Sequence, residues 1–170
     1  MTLFWLIIGF FVCQRLVELI VAKRNEKKVR AMGAIEFGSD HYPYMVAMHV
    51  SFFGVFITET LLFHKQPSRF FVLWLFILIV TQVVRYWALF SLGTYWNTKI
   101  LVVPNAKMIK KGPYRWIKHP NYMVVAIEFL LLPLLFQAYF TVILFSLLNI
   151  CMMIVRIQTE EKALNEYLLN

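Results

Sequence analysis

Two cysteines, six glycines and nine acidic residues are what this 170-residue sequence has little of. Cys13 and Cys151 both lie inside apolar runs, so they read as small hydrophobes and not as a disulfide or a metal pair. The few glycines form no Gly-x-Gly-x-x-Gly stretch, which removes the common strand-to-helix cradle for a dinucleotide. No helix-turn-helix or RNA-binding signature accompanies the net charge of +8, so nucleic acid is not the expected partner. The first apolar run has no basic segment before it and no small-residue cleavage site after it. It is therefore expected to be a retained helix, not a signal peptide.

Apolar residues are what the sequence has in plenty. They make up 61% of it, with 16 Phe and a mean hydropathy of +0.67. A domain of this size cannot hide so much apolar surface from water, so the solvent for most of it is lipid. A helix needs about 20 apolar residues to cross a bilayer. Leu3–Ala22, Tyr42–Phe63 and Phe70–Leu92 meet that length. The run Tyr122–Ile157 is too long for one span. At 1.5 Å per residue it would reach roughly 50 Å against a core of about 30 Å, so it must turn back. Pro133 and Phe136–Ala138 mark the bend, giving a helical hairpin and about five crossings of an all-α integral membrane protein. Residues 1–92 form three N-terminal spans, and 93–170 the hairpin with its preceding segment, within one structural domain.

Basic residues cluster between the runs. Lys23, Arg24, Lys27, Lys28 and Arg30 follow the first span, and Lys99, Lys107, Lys110, Lys111, Arg115 and Lys118 precede the fourth. Only Lys65 and Arg69 lie between the second and third spans. The positive-inside rule then predicts an outside N-terminus and a cytosolic C-terminus, in the plasma membrane.

The peptide Lys110–Tyr122, "KKGPYRWIKHPNY", is the most polar stretch of the second half. Pro113 and Pro120 stop any helix from running through it, and Asn121 is the expected N-cap of the fourth span. "KILVVPNAKMI", Lys99–Ile109, reads as a short extended excursion turning at Pro104-Asn105. In the last span Asn149, Met153, Arg156 and Glu160 recur at helical spacing and share one face. Because the hairpin makes its two ends neighbours, His119 to Tyr122 and Arg156 to Glu161 should meet at one membrane edge. Cations, carboxylates, a His and tyrosines gathered there suit a small zwitterionic ligand. A solvated ion pair at a snorkelling helix end remains the plainer reading of the stripe.

"GPYRWIKHPNY", a hairpin, and then "RIQTEEKAL" resemble the isoprenylcysteine carboxyl methyltransferase family of membrane enzymes. The family pattern is Gly-x-Tyr-x-x-x-Arg-His-Pro-x-Tyr followed by Arg-x-x-x-Glu-Glu. Lys118 stands where Arg is usual, and "LGTYWNTKI" (Leu92–Ile100) also looks like a family segment. The resemblance, over roughly Arg85 to Leu164, implies a membrane methyltransferase with S-adenosylmethionine bound at the cytosolic base of the hairpin. It implies cofactor contacts from Lys107, Met108, Ile109, Tyr114, His119, Pro120, Asn121, Tyr122 and Glu160, with Arg156 facing the methyl acceptor and Glu161 and Arg115 in support. No metal is expected. The compact relatives suggest O-methylation of an acidic hydroxyl or carboxylate on a lipid-like acceptor, such as an alkylpyrone or alkylphenol, arriving from the bilayer. Prenylcysteine carboxyl methylation, phospholipid N-methylation and a non-enzymatic membrane interaction or transporter subunit are the alternatives.

Two ionisable residues inside spans bear on the acceptor. Glu128 lies about two turns into the fourth span, where a carboxylate is costly and a functional role is the default. It could hold an acceptor hydroxyl or act as a base, or it could be the structural partner of Arg85, which lies near Gln82. His49, inside the second span, raises the idea of haem. No second His faces it, so it reads as a core or cavity residue. His41 and His64 lie at span ends, and Arg15 and Glu18 form an ordinary helix-spaced pair.

Overall fold

A computed structural model describes Met1–Tyr167. Asn170, at the C-terminus expected to be cytosolic, lies outside the described residues. The elements in chain order are α1 (Thr2–Ala31), β1 (Ile35–Phe37), α2 (Tyr42–Leu62), α3 (Phe71–Leu92), β2 (Ile100–Val102), α4 (Pro120–Leu134) and α5 (Tyr139–Tyr167). Short 3₁₀ turns cover Gly93–Tyr95 and Gly112–Arg115.

The helices follow the apolar runs. Four of them are long and apolar enough to cross a membrane. The fourth pass, α4, has only 15 residues. At 1.5 Å per residue that is about 22 Å, short of the roughly 30 Å core. The chain thus runs up and down five times, with one short pass in place of a fifth full crossing. By contrast α1 and α5, of 30 and 29 residues, extend well beyond a bilayer core. The middle of α1 and the C-terminal half of α5 line a cavity beside the first turns of the short α4.

The hairpin turns where Pro133 removes a helix donor. The Pro133 carbonyl accepts from the backbone N–H groups of Phe136 and Ala138, at 3.1 and 3.0 Å. Gln137 takes a left-handed φ of 56°, and its side-chain amide donates to the carbonyls of Gln66 and Pro67. Ser68 N–H donates to the Leu135 carbonyl at 2.8 Å, so the hairpin tip is bound to the α2–α3 loop. Buried Glu59 of α2 accepts from the Phe140 and Thr141 N–H groups and the Thr141 hydroxyl, capping α5 from a neighbouring helix.

At the tip end all five helices share an aromatic core. Phe52 stacks on Phe129 with centroids 4.3 Å apart, and Phe4 meets Phe56 and Phe136 edge-on. At the basic end a two-stranded antiparallel sheet pairs Ile35 with Val102 and Phe37 with Ile100. Ile100 and Val102 pack on Ala163 of the protruding α5. The extended excursion expected over Lys99–Ile109 is a strand only at its start. Its partner, β1, is three residues long, too short to show a period.

Asn121 does not cap α4. Pro120 occupies the first helical position, where its missing N–H costs nothing, and His119 takes the cap position without a side-chain bond. The Asn121 amide donates instead to the Tyr114 hydroxyl at 3.0 Å.

Candidate functional site

Beside the first turns of α4 lies a cavity of about 380 Å³. Its polar end is built from three segments brought together by the hairpin and the sheet. The first follows α3, where Gly93 ends the helix at φ 54°. Asn25 of α1 donates to the Gly93 and Trp96 carbonyls, and Asn97 donates back to the Ala22 carbonyl at 3.0 Å. Lys99 bridges Glu26 and Glu36, 3.0 and 3.3 Å away. This lacing places Tyr95 to Val102 along the cavity.

The second segment is the proline-punctuated peptide. Gly112 lies at φ 55°, and a Cβ there would fall 2.0 Å from Ser91 Oγ and 3.0 Å from Trp87 Nε1. Only glycine lets this turn seat on α3. From it Tyr114 enters the cavity, followed by Lys118 and His119 to Tyr122. Burial, with the Glu160 charge nearby, pushes the Tyr114 phenol up, so it keeps its proton and can donate.

The third segment is the inner face of α5, where Asn149, Met153, Arg156 and Glu160 all line the cavity as their spacing implied. His119 Nδ1 lies 3.5 Å from Glu160 and Nε2 lies 3.2 Å from Glu161. The hydrogen bond to Glu160 is the largest influence raising the His119 pKa, against the opposing effect of burial. Arg156 is 5% exposed. It donates to the Thr98 carbonyl at 2.9 Å and to the Tyr122 hydroxyl at 3.4 Å, and its guanidinium lies over the Tyr122 ring. No carboxylate among the described residues pairs with it.

Several expected residues stand elsewhere. Lys107, Met108 and Ile109 lie past the Pro104-Asn105 turn and do not line the cavity; the strand that does is Ile100–Val102. Arg115 is exposed, with its guanidinium over Trp116. Glu161 faces His119 and Lys118 outside the cavity. Glu128 is 1% exposed and does not line the cavity either. Its carboxylate accepts from Arg15, Arg85 and Gln82, so the pairing with Arg85 is the one formed. Glu18 accepts from Arg15, Arg85 and Gln14, closing a six-residue network between α1, α3 and α4. Arg15, Glu18 and Arg85 form the inner wall of the cavity. Tyr42 and His49 of α2 also line it, a contribution the spacing of the C-terminal motifs could not reveal. No group of three potential metal ligands occurs among the described residues.

The matched pattern spans both halves of the polar end. Residues 72–166 match the isoprenylcysteine carboxyl methyltransferase family. The chain belongs to that family. It is therefore an integral membrane methyltransferase, and members of the family use S-adenosylmethionine as methyl donor. The chain is 55% identical over 165 residues to the uncharacterized protein YpbQ of Bacillus subtilis (strain 168), covering 97% of this chain and 98% of that protein. It is 28% identical over 155 residues to an uncharacterized protein of Haemophilus influenzae, covering 89% of this chain and 88% of that one. No solved structure matches it.

Proposed function

We propose that the cavity binds S-adenosylmethionine from the cytosolic side and that the chain transfers its methyl group to an oxygen of a lipid-like acceptor. The observation that carries this reading is Arg156. A buried guanidinium without a carboxylate costs several kcal/mol unless an anion completes it. The cavity it faces holds Glu160 one turn away, so one small space offers a carboxylate for a cationic group and a cation for an anionic one. The volume lies within the roughly 300–1,000 Å³ of small-molecule sites. When bound, the cofactor supplies a sulfonium-activated methyl group. Glu160 holds its cationic portion, His119, Tyr114 and Asn121 offer donors, and Tyr95 to Val102 form the opposite wall.

An acceptor oxygen that is anionic, or becomes so during transfer, fits Arg156; the amine of a phospholipid headgroup gains nothing from it. The acceptor reaches the cavity from the bilayer. Leu16 of α1 and Val50 of α2 line the cavity and are also 55% and 69% exposed, which leaves an apolar opening between these helices. Both an acidic hydroxyl, as in an alkylpyrone or alkylphenol, and a carboxylate satisfy these requirements.

Calorimetry of the detergent-purified protein with S-adenosylhomocysteine tests the site. Micromolar-range binding is expected, weakened in Glu160→Gln by about 1–3 kcal/mol, as for a lost charge-assisted contact. Arg156→Ala should abolish methyl transfer while leaving that affinity within a few-fold. Absence of binding to the folded protein overturns the reading.

A further inference from the structure

We propose that Lys110, Lys111, Arg115 and Trp116, beside the end of α3, form a binding site for the head group of an anionic phospholipid, and that its occupancy steadies the peptide that enters the cavity. The lipid contact stands apart from the methyl-transfer reading. Its effect on the cavity rests on that reading.

The peptide Lys110–Tyr122 has two sides. Tyr114, Lys118 and His119 to Tyr122 line the cavity. Lys110, Lys111, Arg115 and Trp116 do not line it, and all four are exposed. The sequence has no acidic residue between Glu59 and Glu128. Lys118 lies 3.6 Å from Glu161, but Lys110, Lys111 and Arg115 pair with no carboxylate among the described residues. The basic end of α1 differs. There Arg30 pairs with Glu26 and Glu36, and Lys99 bridges the same two carboxylates. The uncompensated positive charge therefore gathers beside α3.

The aromatic residues set the depth of this charge. Val83, Trp87 and Phe90 of α3 are spaced by four and three residues, so they share a face, and all are exposed. Trp116 is 71% exposed, and its ring lies 5.8 Å from that of Trp87. It continues the apolar stripe where α3 ends at Leu92. Tryptophan favours the depth at which hydrocarbon gives way to head groups. The Arg115 guanidinium lies over the Trp116 ring, 5.7 Å from its centroid, so a cation is held at that depth. Guanidinium matches phosphate oxygens, and the two lysines add charge beside it. A lipid supplies both an acyl chain for the stripe and a phosphate for the cations. A nucleic acid supplies only the phosphate.

One turn carries both sides of the peptide. Tyr114 and Arg115 are consecutive residues of the 3₁₀ turn Gly112–Arg115, which seats on α3 through Gly112. Lys110, Lys111 and Arg115 repel one another without a counter-charge. A phosphate among them removes that repulsion and favours the seated turn, with Tyr114 in the cavity. Linkage then requires that the lipid and the cavity ligand strengthen each other's binding.

The test uses nanodiscs of phosphatidylcholine alone or in equal mixture with phosphatidylglycerol. Brominated lipids quench nearby tryptophan, and comparison with Trp116→Phe isolates the Trp116 signal. Each cation near an anionic surface strengthens attraction about fivefold, so brominated phosphatidylglycerol should be preferred over brominated phosphatidylcholine at least tenfold. Replacing Lys110, Lys111 and Arg115 together by Gln should erase the preference. Replacing Lys23, Lys27 and Lys28 by Gln removes equal charge from α1 and should leave it intact. S-adenosylhomocysteine has one amine and one carboxylate, so the surface potential does not concentrate it. Its affinity by calorimetry should be at least fivefold higher in the mixed nanodiscs, and equal in both for the Lys110, Lys111 and Arg115 variant. Equal quenching by the two lipids, or a preference lost equally in the α1 variant, overturns the site. An S-adenosylhomocysteine affinity indifferent to the lipid overturns the coupling. If the triple variant does not fold, Arg115→Gln alone, expected to cut the preference about fivefold, decides the site. If S-adenosylhomocysteine binds in neither nanodisc, the methyl-transfer reading falls, while the quenching still decides the lipid contact.

Discussion

Single side chains here are defined by what surrounds them more than by their own chemistry. Glu128 is the clearest case. Its depth in the membrane invites a catalytic role, but its oxygens are taken by two arginines and a glutamine. Removing one charge from such a buried network leaves another uncompensated, a cost of about 3–5 kcal/mol. Glu128→Gln should therefore lower thermal stability in detergent by that order, with S-adenosylhomocysteine affinity little changed in the fraction that remains folded. His119 is the reverse case, a half-buried group held between the carboxylates of Glu160 and Glu161. Its pKa is raised in the folded protein by the Glu160 hydrogen bond, with Glu161 adding to the effect. The stabilisation from its protonated form is complete below the unfolded value of about 6.5 and is lost as pH rises through the raised folded value. Melting temperature should accordingly decline with pH over that window above 6.5, and His119→Gln should remove that part of the slope.

At the scale of elements, the polar end depends on short pieces docked onto long helices. The 3₁₀ turn Gly112–Arg115 seats on α3 only because position 112 lacks a side chain and accepts a positive φ. Gly112→Ala adds a left-handed penalty of about 1–2 kcal/mol to a clash with Ser91 and Trp87. The expected result is a turn displaced from α3, with Tyr114 carried out of the cavity. S-adenosylhomocysteine affinity should fall at least tenfold, while far-ultraviolet circular dichroism keeps its helical signal.

For the whole molecule, the basic clusters, the sheet and the cavity lie at one end, and Met1, the α2–α3 loop and the hairpin tip at the other. The charge bias predicts that the cavity end faces the cytosol. In a background lacking Cys13 and Cys151, a cysteine at Ser68 should react with an impermeant thiol reagent from outside intact cells, and one at exposed Asn165 should not. The reverse pattern would place the polar end of the cavity away from the cytosolic cofactor pool. Hydropathy and helical spacing are local properties, so the sequence by itself determined the five passes, the bend after Pro133, and the shared face of Asn149, Met153, Arg156 and Glu160. The hairpin then required His119 to meet Glu160. Contacts between distant segments have no local signature. Only the tertiary structure decided that Glu128 is bound by side chains from α1 and α3, and that Tyr95 to Val102, not Lys107 to Ile109, line the cavity. The same holds for His49. Its spacing identified it only as a core or cavity residue, and the packing of α2 beside α5 sets it in the cavity wall.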